Sequence, residues 1–156
     1  MNIDASIIKN FINDDISITA AESLTAGLFQ STLGNISGVS AIFPGGFVTY
    51  SNSAKELLLD IPENIISDNG VVSEQTAILM AKQAKKKMIT NVGVSFTGVA
   101  GPDSLENNPA GTVFIGMDYL NRLPYSKEFH FNGNRNDVRA KSVIAALKML
   151  ADEYNK

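Results

Sequence analysis

Apolar Ile7, Ile8 and Phe11 recur at helical spacing behind Asp4, which predicts a helix over residues 5–11 with Asp4 as its N-cap. Residues 16–21 alternate and predict a strand, and residues 24–33 predict a helix that Gly34 ends. A Ser- and Gly-rich loop leads to a second strand, GFVTY, at 46–50. Ser51 or Asn52 then caps a helix through Leu59; Ile61-Pro62-Glu63 opens a short helical turn that Asn69-Gly70 breaks. Ser73 caps a long helix to Met88, with Ala77, Ala81, Ala84 and Met88 on its buried stripe. Side chains that small predict close packing on a sheet. Residues 91–97 form a strand apolar enough to be central, and 98–110 a long loop. Strands at 112–117 and 125–131 follow as a hairpin pair, and Asn134 caps a last helix with Val143, Ile144, Leu147, Leu150 and Ala151 inward.

Helices alternating with strands predict a three-layer-like α/β sandwich; the adjacent late strands make its central sheet mixed, though mostly parallel. A length of 156 residues and 44% hydrophobic content suit one domain over 1–156 with a real core. A net charge of -3 argues against a nucleic-acid partner. The absence of cysteine removes disulfides, thiolate zinc sites and cysteine nucleophiles together, and one histidine, His130, cannot build a multi-histidine metal site. The first residues, MNIDASIIKNF, lack the apolar run of a secretory leader, and no stretch is long and apolar enough to span a bilayer. The expectation is a cytoplasmic chain with no membrane partner. Lys85, Lys86 and Lys87 fit the last turn of a helix, where cations complement the macrodipole.

Four stretches could carry chemistry. In TAAESLTAGLF, Glu22, Ser23 and Thr25 stand where a strand gives way to a helix. Ser23 is either an N-cap or a nucleophile on a tight turn, where helix N–H groups would stabilise an oxyanion. As a nucleophile it needs a base: His130, between Phe129 and Phe131 on a strand, or Lys55, behind Tyr50 in GFVTYSNSAK. A lysine base must be neutral, which burial or a cationic neighbour would favour. In SFTGVAGP, a central strand runs into a loop where Thr97 offers a hydroxyl and Gly98 and Gly101 allow close backbone approach. Ser23, Tyr50 and Thr97 all fall at the carboxyl ends of strands, where open α/β sheets bind ligands. Arg135 and Arg139 stand one turn apart at a helix start, either as a phosphate site or as a charged surface.

Taken in order, AESLTAG (21–27), GFVTYSNSAK (46–55), GVVSE (70–74), TGVAGPD (97–103), PAGTVFIG (109–116) and FNGNRNDVR (131–139) make the chain similar to the CinA C-terminal domain family of nicotinamide-nucleotide amidases. The resemblance covers nearly the whole chain. It implies hydrolysis of the carboxamide of nicotinamide mononucleotide, without metal or other cofactor, in pyridine nucleotide recycling. It also implies self-association and a form standing alone, without the second domain often fused to the family. By motif position Ser23 would be the nucleophile and Lys55 its base, with Tyr50 in the site. Glu22, Thr25, Thr97, Gly98, Ala100, Gly101, Arg135 and Arg139 would bind substrate, one of the two arginines taking the phosphate. The chain departs from the family's A-E-S-C-T-G-G at Leu24 and Ala26. Ser104 and Leu105 replace glycines in the loop after GPD, and Ala26 adds a methyl that would tighten the pocket. The competing reading is a non-catalytic nucleotide-binding or competence-associated module using the same pocket.

Overall fold

A computed structural model describes residues 3–156; Met1 and Asn2, the start of the stretch read for a leader, lie outside it. Five strands form one sheet in the order β2-β1-β3-β4-β5. They are β1 (Ile18–Glu22), β2 (Phe47–Val48), β3 (Val92–Gly98), β4 (Thr112–Tyr119) and β5 (Tyr125–His130). β1 runs parallel to both β2 and β3, whereas β4 is antiparallel to β3 and to β5. The mixed sheet read from the sequence is present, with its parallel half around β1 and the late hairpin closing the other side.

Helices cover both faces. α1 (Ile7–Asn13), α2 (Leu28–Gly34) and α6 (Arg135–Tyr154) lie on one; α3 (Asn52–Leu59), α4 (Glu63–Asn69) and α5 (Glu74–Met88) lie on the other. Strand alternation sorts the side chains between these layers. Ile18 and Ala20 of β1, with Val92, Val94 and Phe96 of β3, join Phe11, Phe29, Leu33, Val143 and Leu147 in the first core. Ala21 faces the other way, in a core with Leu59, Ile61, Met80 and Ala84. On that face α5 packs very close. A side chain at Gly116 would collide with the Ala77 carbonyl, and Ser95 Oγ donates to that same carbonyl at 2.5 Å.

Local signals account for the starts of three helices. Ser51 Oγ accepts from Ala54 N–H at 3.0 Å, Ser73 Oγ from Thr76 N–H at 3.2 Å, and Asn134 forms a reciprocal capping box with Asp137. Several readings change. Asp4 does not cap α1: its carboxylate accepts from Ser6 N–H, and Ser6 stands at the cap without a side-chain bond. The GFVTY strand contracts to Phe47–Val48 because β2 is an edge pairing only with the end of β1. The buried stripe of α6 is wider than expected. It takes in Val138, Ala145, Ala146 and Met149, leaving Ile144 and Ala151 half-buried.

Candidate active site

β1 ends at Glu22, and the alternation that sorts the core also separates Glu22 from Ser23. Glu22, fully buried, turns toward α2: its carboxylate accepts from Phe29 N–H at 2.9 Å, Gln30 N–H at 3.0 Å and Gln30 Nε2 at 2.9 Å. It therefore fills the N-terminus of α2 that an oxyanion was expected to use, and it does not face the cavity. Ser23 does not cap that helix. α2 starts four residues later than predicted, behind Gly27, because Ala26 (φ 49°) and Gly27 (φ 96°) both take left-handed backbone. Ser23 instead closes a tight turn, its N–H bonded to Phe96 O and its carbonyl accepting from Ala26 N–H at 3.0 Å.

On the α3 side the Ser23 hydroxyl meets Lys55. Nζ donates to Ser23 Oγ at 3.0 Å and to the Thr49 carbonyl at 2.8 Å. Lys55 sits one turn before Leu59 on the inward face of α3, and only 1% of its surface reaches solvent. Burial lowers its pKa from 10.5 to about 8, against the opposing pull of the Glu106 carboxylate. No carboxylate lies within ion-pair distance of it among the described residues. At pH 7 roughly a tenth of the molecules then carry a neutral amine beside the hydroxyl. A serine hydroxyl so placed has a base in reach, which is the arrangement of nucleophilic catalysis.

Both groups line a cavity of about 300 Å³ at the carboxyl ends of the strands. Tyr50, Thr97, Gly98, Ala100, Gly101 and Arg135 from the sequence reading line it too, with Asn52, Val71, Val72, Asp103 and Leu105. Thr97 Oγ1 donates to Val71 O at 2.7 Å, so its hydroxyl ties two walls together. Arg135 spans the mouth, donating to Gly101 O at 2.7 Å and Tyr50 Oη at 2.5 Å. Glu22, Thr25 and Arg139 lie outside the lining. Thr25 is fully buried, and Arg139 binds the Leu24 and Thr25 carbonyls. His130 is exposed on the edge strand beside Glu128, outside the cavity, and gives Ser23 no base. Ala26 is exposed and also outside the lining, so its methyl does not narrow the pocket. Among the described residues no group of three or more His, Cys, Asp or Glu side chains could hold a metal ion.

Sequence reasoning missed Glu106. Its carboxylate accepts from Val71 N–H at 3.0 Å and Val72 N–H at 2.9 Å, clamping the loop after β3 onto the segment before α5. That pairing spans 35 residues and has no local signature.

Residues 1–154 match the family model of the CinA C-terminal domain. The chain belongs to that family. A competence-damage inducible protein of Lactiplantibacillus plantarum is 56% identical to this CinA C-terminal domain over 151 residues, 97% of the chain and 36% of the relative. The chain thus spans about a third of the length of the curated relatives it matches. Among solved structures, a competence/damage inducible protein from Agrobacterium tumefaciens superposes with a TM-score of 0.89 at 34% identity, covering 94% of this chain and 90% of that one. A CinA superfamily protein from Escherichia coli gives 0.90 at 30% identity, covering 94% and 86%. No helix among the described residues is long and apolar enough to cross a membrane.

Proposed function

We propose that this CinA C-terminal domain is an amidohydrolase that converts nicotinamide mononucleotide to nicotinic acid mononucleotide and ammonia. The observation that carries the reading is the buried amine of Lys55, pKa about 8, 3.0 Å from Ser23 Oγ on a cavity wall. A binding module gains nothing from burying a lysine that costs stability in its charged form; a serine nucleophile needs that lysine.

In the proposed cycle neutral Lys55 takes the Ser23 proton as Oγ bonds to the carboxamide carbon. The tetrahedral oxyanion is met by backbone N–H groups. Ser23 N–H is engaged by Phe96 O, whereas Leu24 N–H and Thr25 N–H, the next two along the turn, have no partner within the described chain. Lys55 then gives its proton to the nitrogen as the C–N bond breaks, releasing ammonia and leaving a nicotinoyl ester on Ser23. A water, deprotonated by Lys55, adds to that ester, and Ser23 leaves with the proton. The thiol-free position at Leu24 is no obstacle to this sequence, because neither Ser23 acylation nor hydrolysis by water uses a thiol.

The substrate's pyridinium would depress the Lys55 pKa further and raise the fraction of neutral base. Arg135 is the proposed phosphate ligand, because it lines the mouth and, among the described residues, donates only to a carbonyl and a phenol. The resemblance of the motifs supports the choice of nucleotide. Ammonia release from nicotinamide mononucleotide by the purified chain, beside folded Ser23→Ala and Lys55→Ala, tests the reading. Turnover lost by orders of magnitude in both variants supports it. A wild type that binds the nucleotide without turnover supports the binding-module reading instead.

A further inference from the structure

Arg139 is half-buried, yet no carboxylate lies within salt-bridge distance of it among the described residues. Its guanidinium binds two successive carbonyls of the turn that carries Ser23. Nε donates to Leu24 O at 3.2 Å and Nη2 to Thr25 O at 3.0 Å, across more than a hundred residues of sequence. Arg139 comes from α6, on one face of the sheet; Lys55 reaches Ser23 from α3, on the other. The turn is therefore held between two cations from opposite layers.

This placement controls where the backbone donors point. In a trans peptide the carbonyl and the following N–H are antiparallel. Drawing the Leu24 carbonyl toward Arg139 turns Thr25 N–H the opposite way. The bond from Ala26 N–H to Ser23 O fixes the preceding plane, and with it Leu24 N–H, in the same manner. Neither N–H has a partner within the described chain. The grip is also needed locally, because Ala26 adopts a left-handed backbone that a non-glycine residue resists unless its surroundings hold it.

We infer that Arg139 is a positioning residue: by holding the Leu24 and Thr25 carbonyls it aims the N–H groups after Ser23 at the oxyanion of the reaction. The inference rests on the proposed role of Ser23 as nucleophile. Losing one oxyanion donor outright lowers kcat by about 10²–10³-fold. Loosening its peptide plane should lower kcat by roughly 10–100-fold and leave KM for nicotinamide mononucleotide within about threefold.

The test measures kcat and KM for Arg139→Ala and Arg139→Lys, with thermal melts, and repeats Arg139→Ala in millimolar guanidinium or in ammonium of equal ionic strength. The expected result is a fall in kcat in both variants and partial recovery of Arg139→Ala by guanidinium alone. A changed melting temperature with unchanged kcat, or a rise in KM without a fall in kcat, would overturn the inference and leave Arg139 a staple or a substrate ligand. Should Arg139→Ala not fold, Arg139→Lys still decides, since it keeps the charge and loses the two-point grip. The underlying reading fails separately: in that case Ser23→Ala retains the wild-type rate, or the wild type has none.

Discussion

Two buried charges near opposite ends of the sheet are treated in opposite ways. Glu153 on α6 is 2% exposed and crowded with donors: Arg122 Nη1 at 2.5 Å, Tyr125 Oη at 3.0 Å and Lys156 Nζ at 2.6 Å. Burial pushes its pKa up, but the bonds from Lys156, Arg122 and Tyr125 outweigh it and hold the carboxyl below its ordinary value. Lys55 is as deeply buried and donates to just one hydroxyl and one carbonyl among the described residues. The carboxylate is ionised and locks the last turns of α6 to the β4–β5 connection. The amine is held near its point of neutrality beside a nucleophile. A charge kept for structure is compensated; a charge kept for chemistry is left short of partners, at a cost in stability.

The comparison is broken most severely at Ser23 and Lys55. Either alanine variant should lower turnover of nicotinamide mononucleotide by about 10³-fold or more, read from ammonia release, while Glu153→Gln leaves kcat within about twofold. The pH profile sharpens it. Below about pH 8 the wild-type rate should fall roughly tenfold per pH unit, because the reaction needs Lys55 neutral. A limb displaced below the free-protein value in kcat, but not in kcat/KM, would report the bound pyridinium.

Stability should divide the two charges by sign. Lys55→Met should raise the unfolding free energy by about 1–3 kcal/mol at pH 7, measured by denaturant titration. The folded pKa, about 8, lies below the ordinary 10.5, so between those values the unfolded chain binds more protons. The wild type therefore gains stability as pH rises through that window, and the advantage of Lys55→Met should vanish by its upper end. Glu153→Gln should cost about 1–3 kcal/mol, a range kept low because Arg122 and Lys156 are themselves well exposed. The smallest effect is expected at Ala26→Gly, which relieves the left-handed backbone and should change stability by less than about 1 kcal/mol.

What could be read from the sequence divides by the range of the interaction. Ser73 and Asn134 announced α5 and α6 because caps act over three residues, and Ala77 and Ala81 announced close packing because small side chains at helical spacing have few other uses. Ser23, Tyr50 and Thr97 were legible as chemistry-bearing types at strand ends, and Lys55 and Arg135 as cations at helix starts; the fold gathers all five around one cavity. Glu22 was read as a substrate ligand beside Ser23 in AESLTAG; the one-residue alternation of β1 sends the two to opposite layers, which only the sheet register determines. Glu106, the Thr49 carbonyl and the hold of Arg139 on the Ser23 turn were out of reach for a related reason. Each acts on, or through, a backbone group remote in sequence or unmarked by side-chain identity.

The central claim is that Lys55 is the base for Ser23. Its most direct test is the pH dependence of Ser23 acylation by an activated nicotinate ester, followed by the mass of the Ser23 peptide in wild type and Lys55→Ala. The account predicts a label on Ser23 whose rate rises with a midpoint near pH 8 in the wild type and loses that limb in the variant. The same midpoint persisting without Lys55, or a label on another residue, would contradict it.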